Sequence, residues 1–251
     1  MRLLAQRALG RSEITVTDRA TGLRFRCLRG ADRMLGETFH SQVYDIPTVP
    51  VRAGDLVIDV GANHGFSACW FARRGAQVVA FEPDPTVHGL LAANVAANGL
   101  ADRIQTFQCA VGGDDGHAIL LVSPELGGGM STLYPELAVS NHLDITARLD
   151  VEVRGLPGIL RELGSPRVRL LKLDCEGSEL AILRSLDRTV LDSIDSLAIE
   201  YHPAAYELPD LIDTVLGWDG FHLSKALTLD VSNANLHAAS SRAVAAWARS
   251  A

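Results

Sequence analysis

VIDVGANHG, residues 57–65, joins a short apolar run to a glycine-flanked turn. With Leu56 in front, LVIDV is continuous enough to be a strand buried on both faces, as strands of a parallel sheet are. Gly61 and Gly65 allow a tight turn and close approach of the backbone to a ligand. Phe66 to Arg74 follows with helical periodicity, so its N-terminus offers free N–H groups beside the turn. The spacing is G-x-x-x-G. A dinucleotide fingerprint would carry a second glycine where Asn63 stands, and no Gly-Lys-Ser/Thr follows, so a phosphate-cradling Walker loop is excluded.

Outward from this turn, strand and helix signals alternate. AQVVAFE (76–82) reads as a second buried strand, and Pro83–Asp84–Pro85 opens a long helix that stops near Asn98–Gly99. IQTFQCAV (104–111), RVRLLKLD (167–174) and IDSLAIEY (194–201) read as further strands, with helices at 178–186 and 210–216 and a strand near 220–224. This order predicts an α/β fold, a mostly parallel sheet with helices on both faces. EITVTDRATGLRFRC (13–27) predicts a small N-terminal β-hairpin. Residues 112–149, with GGDDG and SPELGGGMST, show little periodicity. A connection of that length inside a domain is functional or mobile. The organisation expected is an extension at 1–50, hairpin and cap, and a catalytic domain at 51–251 carrying a long insertion at about 112–149.

The chain has 251 residues, a net charge of −7 and no strongly basic run, which argues against a nucleic-acid partner. No apolar window is long enough for a membrane span, and the first ten residues lack the apolar core of a secretory leader. Cys27, Cys69, Cys109 and Cys175 are scattered without zinc or redox spacing, so the expected location is the reducing cytoplasm. Oligomeric state is left open between monomer and homo-oligomer. Of 23 Lys and Arg residues only Lys172 and Lys225 are lysines, and Lys172, two residues from Asp174, is read as a site residue where a compact charge cannot be exchanged for a guanidinium fork.

Three further motifs carry chemistry. In AFEPD (80–84), Glu82 ends the second strand, 21 residues after Gly61, where an acidic side chain accepts both hydroxyls of a ribose. Together with the glycine turn it describes a nucleoside site without a pyrophosphate cradle. In LLKLDCEGSEL (170–180), Lys172, Asp174, Glu176 and Glu179 crowd the end of a strand, where ligands of open α/β sheets bind. In IEYHP (199–203), Glu200 and His202 alternate onto one strand face, and His is the usual general base near neutral pH.

The series VIDVGANHG, AFEPDP, NVAANGL, LLKLDCEGSELAIL and IEYHP resembles the FkbM family of S-adenosylmethionine-dependent methyltransferases over about residues 37–203, and GGMSTL (128–133) resembles a stretch of that family's middle loop. The resemblance implies a Rossmann-like class I methyltransferase fold with seven strands, the last antiparallel. It implies O-methylation of a small-molecule hydroxyl, on a sugar, polyketide or other specialised metabolite, with S-adenosylhomocysteine as product. In such a fold Gly61, Asn63 and Gly65 face the amino-acid part of the cofactor, Asp59 receives its ammonium, and Glu82 with Pro83 holds the ribose. Cys109 and Ala110 flank the adenine, and Tyr44 or Glu37 closes over the carboxylate. His202 is the preferred base, then Asp174, with Glu176 orienting and Lys172 a site residue. Mg²⁺ held by Asp174, Glu176 and Glu200 is possible chemistry but not favoured. A nicotinamide oxidoreductase and a catalytically silent binding module are the competing readings. The absent second glycine opposes the first, and retention of Glu82 with the acid cluster opposes the second.

Overall fold

The computed structural model describes residues 13–243 apart from 219, 231 and 232, with backbone alone for 222–230 and 233–236. The N-terminal elements are β1 (Glu13–Thr17), β2 (Arg24–Leu28) and α1 (Asp32–Gly36), which runs into a π-helical turn at Glu37–Ser41. Then follow β3 (Leu56–Val60), α2 (Phe66–Arg73), β4 (Gln77–Phe81), α3 (Pro85–Ala97), β5 (Ile104–Phe107), β6 (Ala110–Gly112) and β7 (Gly116–Val122). The chain continues through α4 (Pro135–Ser140), β8 (Ala147–Gly155), α5 (Leu156–Glu162), β9 (Leu170–Leu173), α6 (Glu179–Arg184) and α7 (Arg188–Ser193). It closes with β10 (Ser196–Tyr201), α8 (Leu208–Leu216), β11 (Phe221–Asp230) and β12 (Asn233–Ser240).

The main sheet has seven strands in the order β11-β12-β10-β9-β3-β4-β5. β10, β9, β3, β4 and β5 are parallel, and the last strand, β12, runs antiparallel between β10 and β11. The apolar runs at β3 and β9 take the middle of the sheet because both of their faces are covered. Alternate residues feed two cores. Val57, Val78 and Leu170 pack with α2, α3 and the hairpin's Phe25 and Cys27. Ile58, Val79, Leu171 and Leu197 pack with α5, α6 and α8 on the opposite face. A fully buried side chain such as Phe25 contributes roughly 1.5–3 kcal/mol.

The hairpin forms where expected and is held by α3. Asp84 caps that helix by accepting from the Thr86 and Val87 N–H groups, and Pro85 occupies its first turn. Four residues along a helix advance about 6 Å; two along a strand advance about 6.6 Å. Asn94 and Asn98 therefore meet alternate residues of β2. Asn98 bonds Arg24 N at 2.9 Å and Arg24 O at 2.7 Å, and Asn94 bonds Arg26 N and O, each at 2.8 Å.

Two stretches differ from expectation. The run at 104–111 is two strands, because β5 pairs with β4 while β6 leaves the main sheet to pair with β8. Residues 112–149 are also more regular than their glycines suggest. β7 pairs along its length with β8, giving a second sheet in the order β6-β8-β7, with a 3₁₀ turn at Glu125–Gly128 and α4 between.

Candidate active site

A cleft of roughly 1110 Å³, its open mouth included, lies beyond the carboxyl ends of β3, β4, β9 and β10. Of the residues expected at a site, Tyr44, Gly61, Asn63, Glu82 and Pro83 line it. So do Cys109, Ala110, Asp174, Glu176 and His202, with Glu37 and Glu200. Asp59, Gly65 and Lys172 lie behind this wall instead.

The glycine turn is fixed by close packing. Gly61 has φ +72°, and a Cβ there would fall 1.7 Å from the Asp174 carbonyl oxygen. Gly65 has φ +85° and would meet Leu91. Beneath the turn, β3 and β9 set Asp59 opposite Lys172. The Lys172 ammonium is 3.1 Å from Asp59 Oδ1 and 3.4 Å from Asp174 Oδ2, and it donates to Gly61 O at 2.7 Å. Asp59 Oδ2 accepts from Ser67 Oγ at 2.6 Å. Burial alone would lower the Lys172 pKa, but Asp59 and Asp174 outweigh it and raise it. Lys172 thus ties two carboxylates and the turn together from below.

At one part of the cleft Glu82 accepts the Asn63 N–H at 3.1 Å and the Asp84 N–H at 2.8 Å, one on each carboxylate oxygen. Burial pushes its pKa up to about 8, against those two N–H bonds. The apolar neighbours Phe81, Cys109, Ala110 and Val111 continue the wall beside it.

Elsewhere the cleft gathers acids around one imidazole. Tyr44 Oη donates to Asp174 Oδ2 at 2.7 Å. His202 is 3% exposed. Its Nε2 lies 3.6 Å from Glu176 Oε1 and 3.9 Å from Asp174 Oδ1, while its Nδ1 is 3.0 Å from Glu179 Oε1. Burial would depress the His202 pKa, but Glu176, Glu179 and Glu200 overcome it and hold it well above the ordinary value. Burial lifts Glu176 to about 7 and Glu200 to about 8, with Asp174 adding to both, and burial and Asp174 also raise Glu37. Glu176 adopts φ +54°, a left-handed conformation costly for a non-glycine residue.

Glu179 has a larger part than its sequence context conveyed. The acid crowding was legible; the orienting role was not. It is fully buried, accepts the Cys175 N–H at 2.8 Å and the Gly177 N–H at 3.1 Å, and accepts from Tyr206 Oη at 3.0 Å. The Tyr206 partnership carried no sequence signal.

Residues 59–223 match the model of the methyltransferase FkbM domain. The chain belongs to the FkbM methyltransferase family. The methyltransferase sdnD of Sordaria araneosa is 29% identical over 214 residues, covering 75% of this chain and 81% of that protein. Methyltransferase 1 of Beauveria bassiana is 31% identical over 179 residues, covering 65% and 70%. The 31-O-demethyl-FK506 methyltransferase FkbM of Streptomyces tacrolimicus is 26% identical over 205 residues, covering 72% and 78%. Among solved structures, an FkbM methyltransferase of Methylobacillus flagellatus shares the fold with a TM-score of 0.52 and 20% identity, over 81% of this chain and 47% of that one. This FkbM methyltransferase therefore spans about half of that structure's chain. Among its described residues no helix is long and apolar enough to cross a membrane.

Proposed function

We propose that this methyltransferase uses S-adenosylmethionine to O-methylate a hydroxyl of a small molecule, with a sugar, polyketide or other specialised metabolite as the acceptor class. One observation carries the reading: a single cleft is lined by both the strand-end Glu82 beside the glycine turn and by His202, which the buried Glu179 backs from outside the cleft. The donor set fits the cofactor. Glu82 presents two oxygens suited to the two ribose hydroxyls, Phe81, Cys109 and Ala110 offer an apolar slot for a base, and Tyr44, Asp174 and the Gly61 turn offer polar groups for an amino-acid portion. When bound, the cofactor supplies an electrophilic methyl group on a sulfonium.

The protein's own work is then orientation and proton removal. An alcohol holds its proton tightly, so a positioned base assists attack on the methyl group. His202 takes that proton at Nε2, the nitrogen facing Asp174 and Glu176. Glu179 fixes the tautomer by accepting from Nδ1, and Glu176 orients the hydroxyl. Lys172 is a positioning residue, holding Asp174 and Gly61 in place.

The charge of the cleft supports a small acceptor rather than nucleic acid. Glu37, Glu82, Asp174, Glu176 and Glu200 line it, with no Arg or Lys among the described lining residues. A phosphate backbone would be repelled there. The relative whose name specifies 31-O-demethyl-FK506 supports oxygen as the methylated atom.

The test is transfer of an isotopically labelled methyl group from S-adenosylmethionine to a panel of neutral sugar and polyketide alcohols. The expected product carries a methyl ether. A product methylated on nitrogen or carbon would contradict the assignment to oxygen.

A divalent cation is the second reading. Donor atoms of Asp174, Glu200 and His202 lie within 4.8 Å of one another, so His202 replaces Glu176 in the set read from spacing. Bound, a cation such as Mg²⁺ would supply Lewis-acid polarisation of the acceptor oxygen. Turnover that persists after exhaustive chelation removes this reading; loss restored by Mg²⁺ or Mn²⁺ establishes it.

A further inference from the structure

β2 presents a polar backbone edge at Arg24, Arg26 and Leu28, and each residue on that edge meets a side chain from the methyltransferase core. Asn98 takes Arg24 and Asn94 takes Arg26. The third rung is His64, from inside the glycine turn: its Nε2 accepts the Leu28 N–H at 3.2 Å. Asn94 reinforces the junction by donating to His64 O at 2.9 Å as well as to Arg26 O. The His64 ring is fully buried and stacks on Phe66 at 5.8 Å.

Because Nε2 accepts, the ring proton belongs on Nδ1. Nδ1 donates to Asn63 Oδ1, and the His64 backbone N–H donates to the same oxygen at 2.8 Å. Asn63 stands at φ +50°, a conformation that asparagine tolerates when its side chain is held locally. In that conformation its own N–H reaches Glu82 Oε2 at 3.1 Å. An unbroken series of contacts therefore runs from the end of the hairpin, through His64 and Asn63, to the carboxylate assigned to the ribose.

We propose that His64 is a positioning residue for cofactor binding: it ties the N-terminal hairpin to the Asn63 conformation that holds Glu82. The proposal rests on the reading of Glu82 as the ribose ligand. It makes the hairpin, which precedes the family-matched residues 59–223, part of the cofactor-binding unit. A histidine suits the position because a neutral ring accepts on one side and donates on the other, so one side chain serves both the strand edge and the turn.

The test compares the full-length wild type with His64→Ala and His64→Gln. Titration calorimetry with S-adenosylhomocysteine gives affinity, amide hydrogen exchange gives protection at Leu28, and labelled methyl transfer at saturating S-adenosylmethionine gives turnover. His64→Ala should weaken S-adenosylhomocysteine binding by about tenfold. It should also expose the Leu28 amide and leave saturated turnover close to wild type. His64→Gln retains an acceptor for Leu28 but loses the ring donor to Asn63, so it should keep Leu28 protected while binding more weakly than wild type. Unchanged affinity in either folded variant overturns the proposal; should His64→Ala fail to fold, His64→Gln alone decides it. A wild type that does not bind S-adenosylhomocysteine would instead remove the cofactor reading itself.

Discussion

His202 Nδ1 stands 3.0 Å from Glu179 Oε1, and both side chains are buried. This contact aims Nε2 into the cleft and selects which ring nitrogen is free to take a proton. Glu179→Gln removes the charge while keeping the shape and an acceptor for the Cys175 and Gly177 N–H groups. Turnover should fall by about 10²-fold or more, since a neutral amide no longer stabilises the imidazolium that forms when His202 takes the proton. Affinity for S-adenosylhomocysteine should stay within about twofold, well under 1 kcal/mol. Steady-state kinetics beside calorimetry separate the two, and undiminished turnover would return Glu179 to a purely structural part.

The carboxylates around His202 also set a pH dependence. Glu176, Glu179 and Glu200 overcome burial and hold the ring protonated to a pH well above its ordinary pKa. A base must be neutral to act, so turnover at saturating substrates should climb as pH rises above neutrality. The climb should flatten once the ring has lost its proton, and the residual rate of His202→Ala should lack it. A wild-type rate that declines from neutral pH upward would contradict His202 as the base.

Lys172 predicts a stability effect. It is 1% exposed and pairs with the fully buried Asp59. Lys172→Met leaves that carboxylate without its counter-ion, which should cost on the order of 3–5 kcal/mol in urea unfolding. The double variant Asp59→Asn with Lys172→Met should recover much of the loss. Lys172→Arg should also lower stability and turnover, because a guanidinium fork does not fit where one ammonium meets Asp59, Asp174 and Gly61 O. Full turnover in Lys172→Arg would show that the compact charge is dispensable.

The central sheet was legible because β3, β4, β9 and β10 are buried on both faces, which writes continuous apolar runs into the chain. Strand-end chemistry was legible for the same reason: Glu82, Asp174 and His202 stand where those runs stop. The break between β5 and β6 was not, since IQTFQCAV at 104–111 carries no Gly or Pro to mark it and only tertiary pairing divides it. β7 was obscured by the glycines around it, and only its pairing with β8 marks GHAILLV as a strand. His64 gave no signal because its partner, Leu28, lies 36 residues away. The scarcity of lysine pointed to Lys172, yet only the register of β3 against β9 revealed that it faces Asp59 from beneath the wall rather than from within the cleft.

Cofactor binding at Glu82 decides whether the cleft is a methyl-transfer site. Calorimetric titration of S-adenosylhomocysteine into the wild type and Glu82→Ala, with NADH as comparator and melting curves for both proteins, tests it most directly. Loss of the carboxyl group that meets the ribose hydroxyls should weaken binding by about tenfold or more. The predicted result is one S-adenosylhomocysteine per wild-type chain, binding lost or severely weakened in a Glu82→Ala protein that still melts cooperatively, and no tight NADH binding. A wild type that ignores S-adenosylhomocysteine, or a Glu82→Ala protein that binds it equally well, would contradict the account.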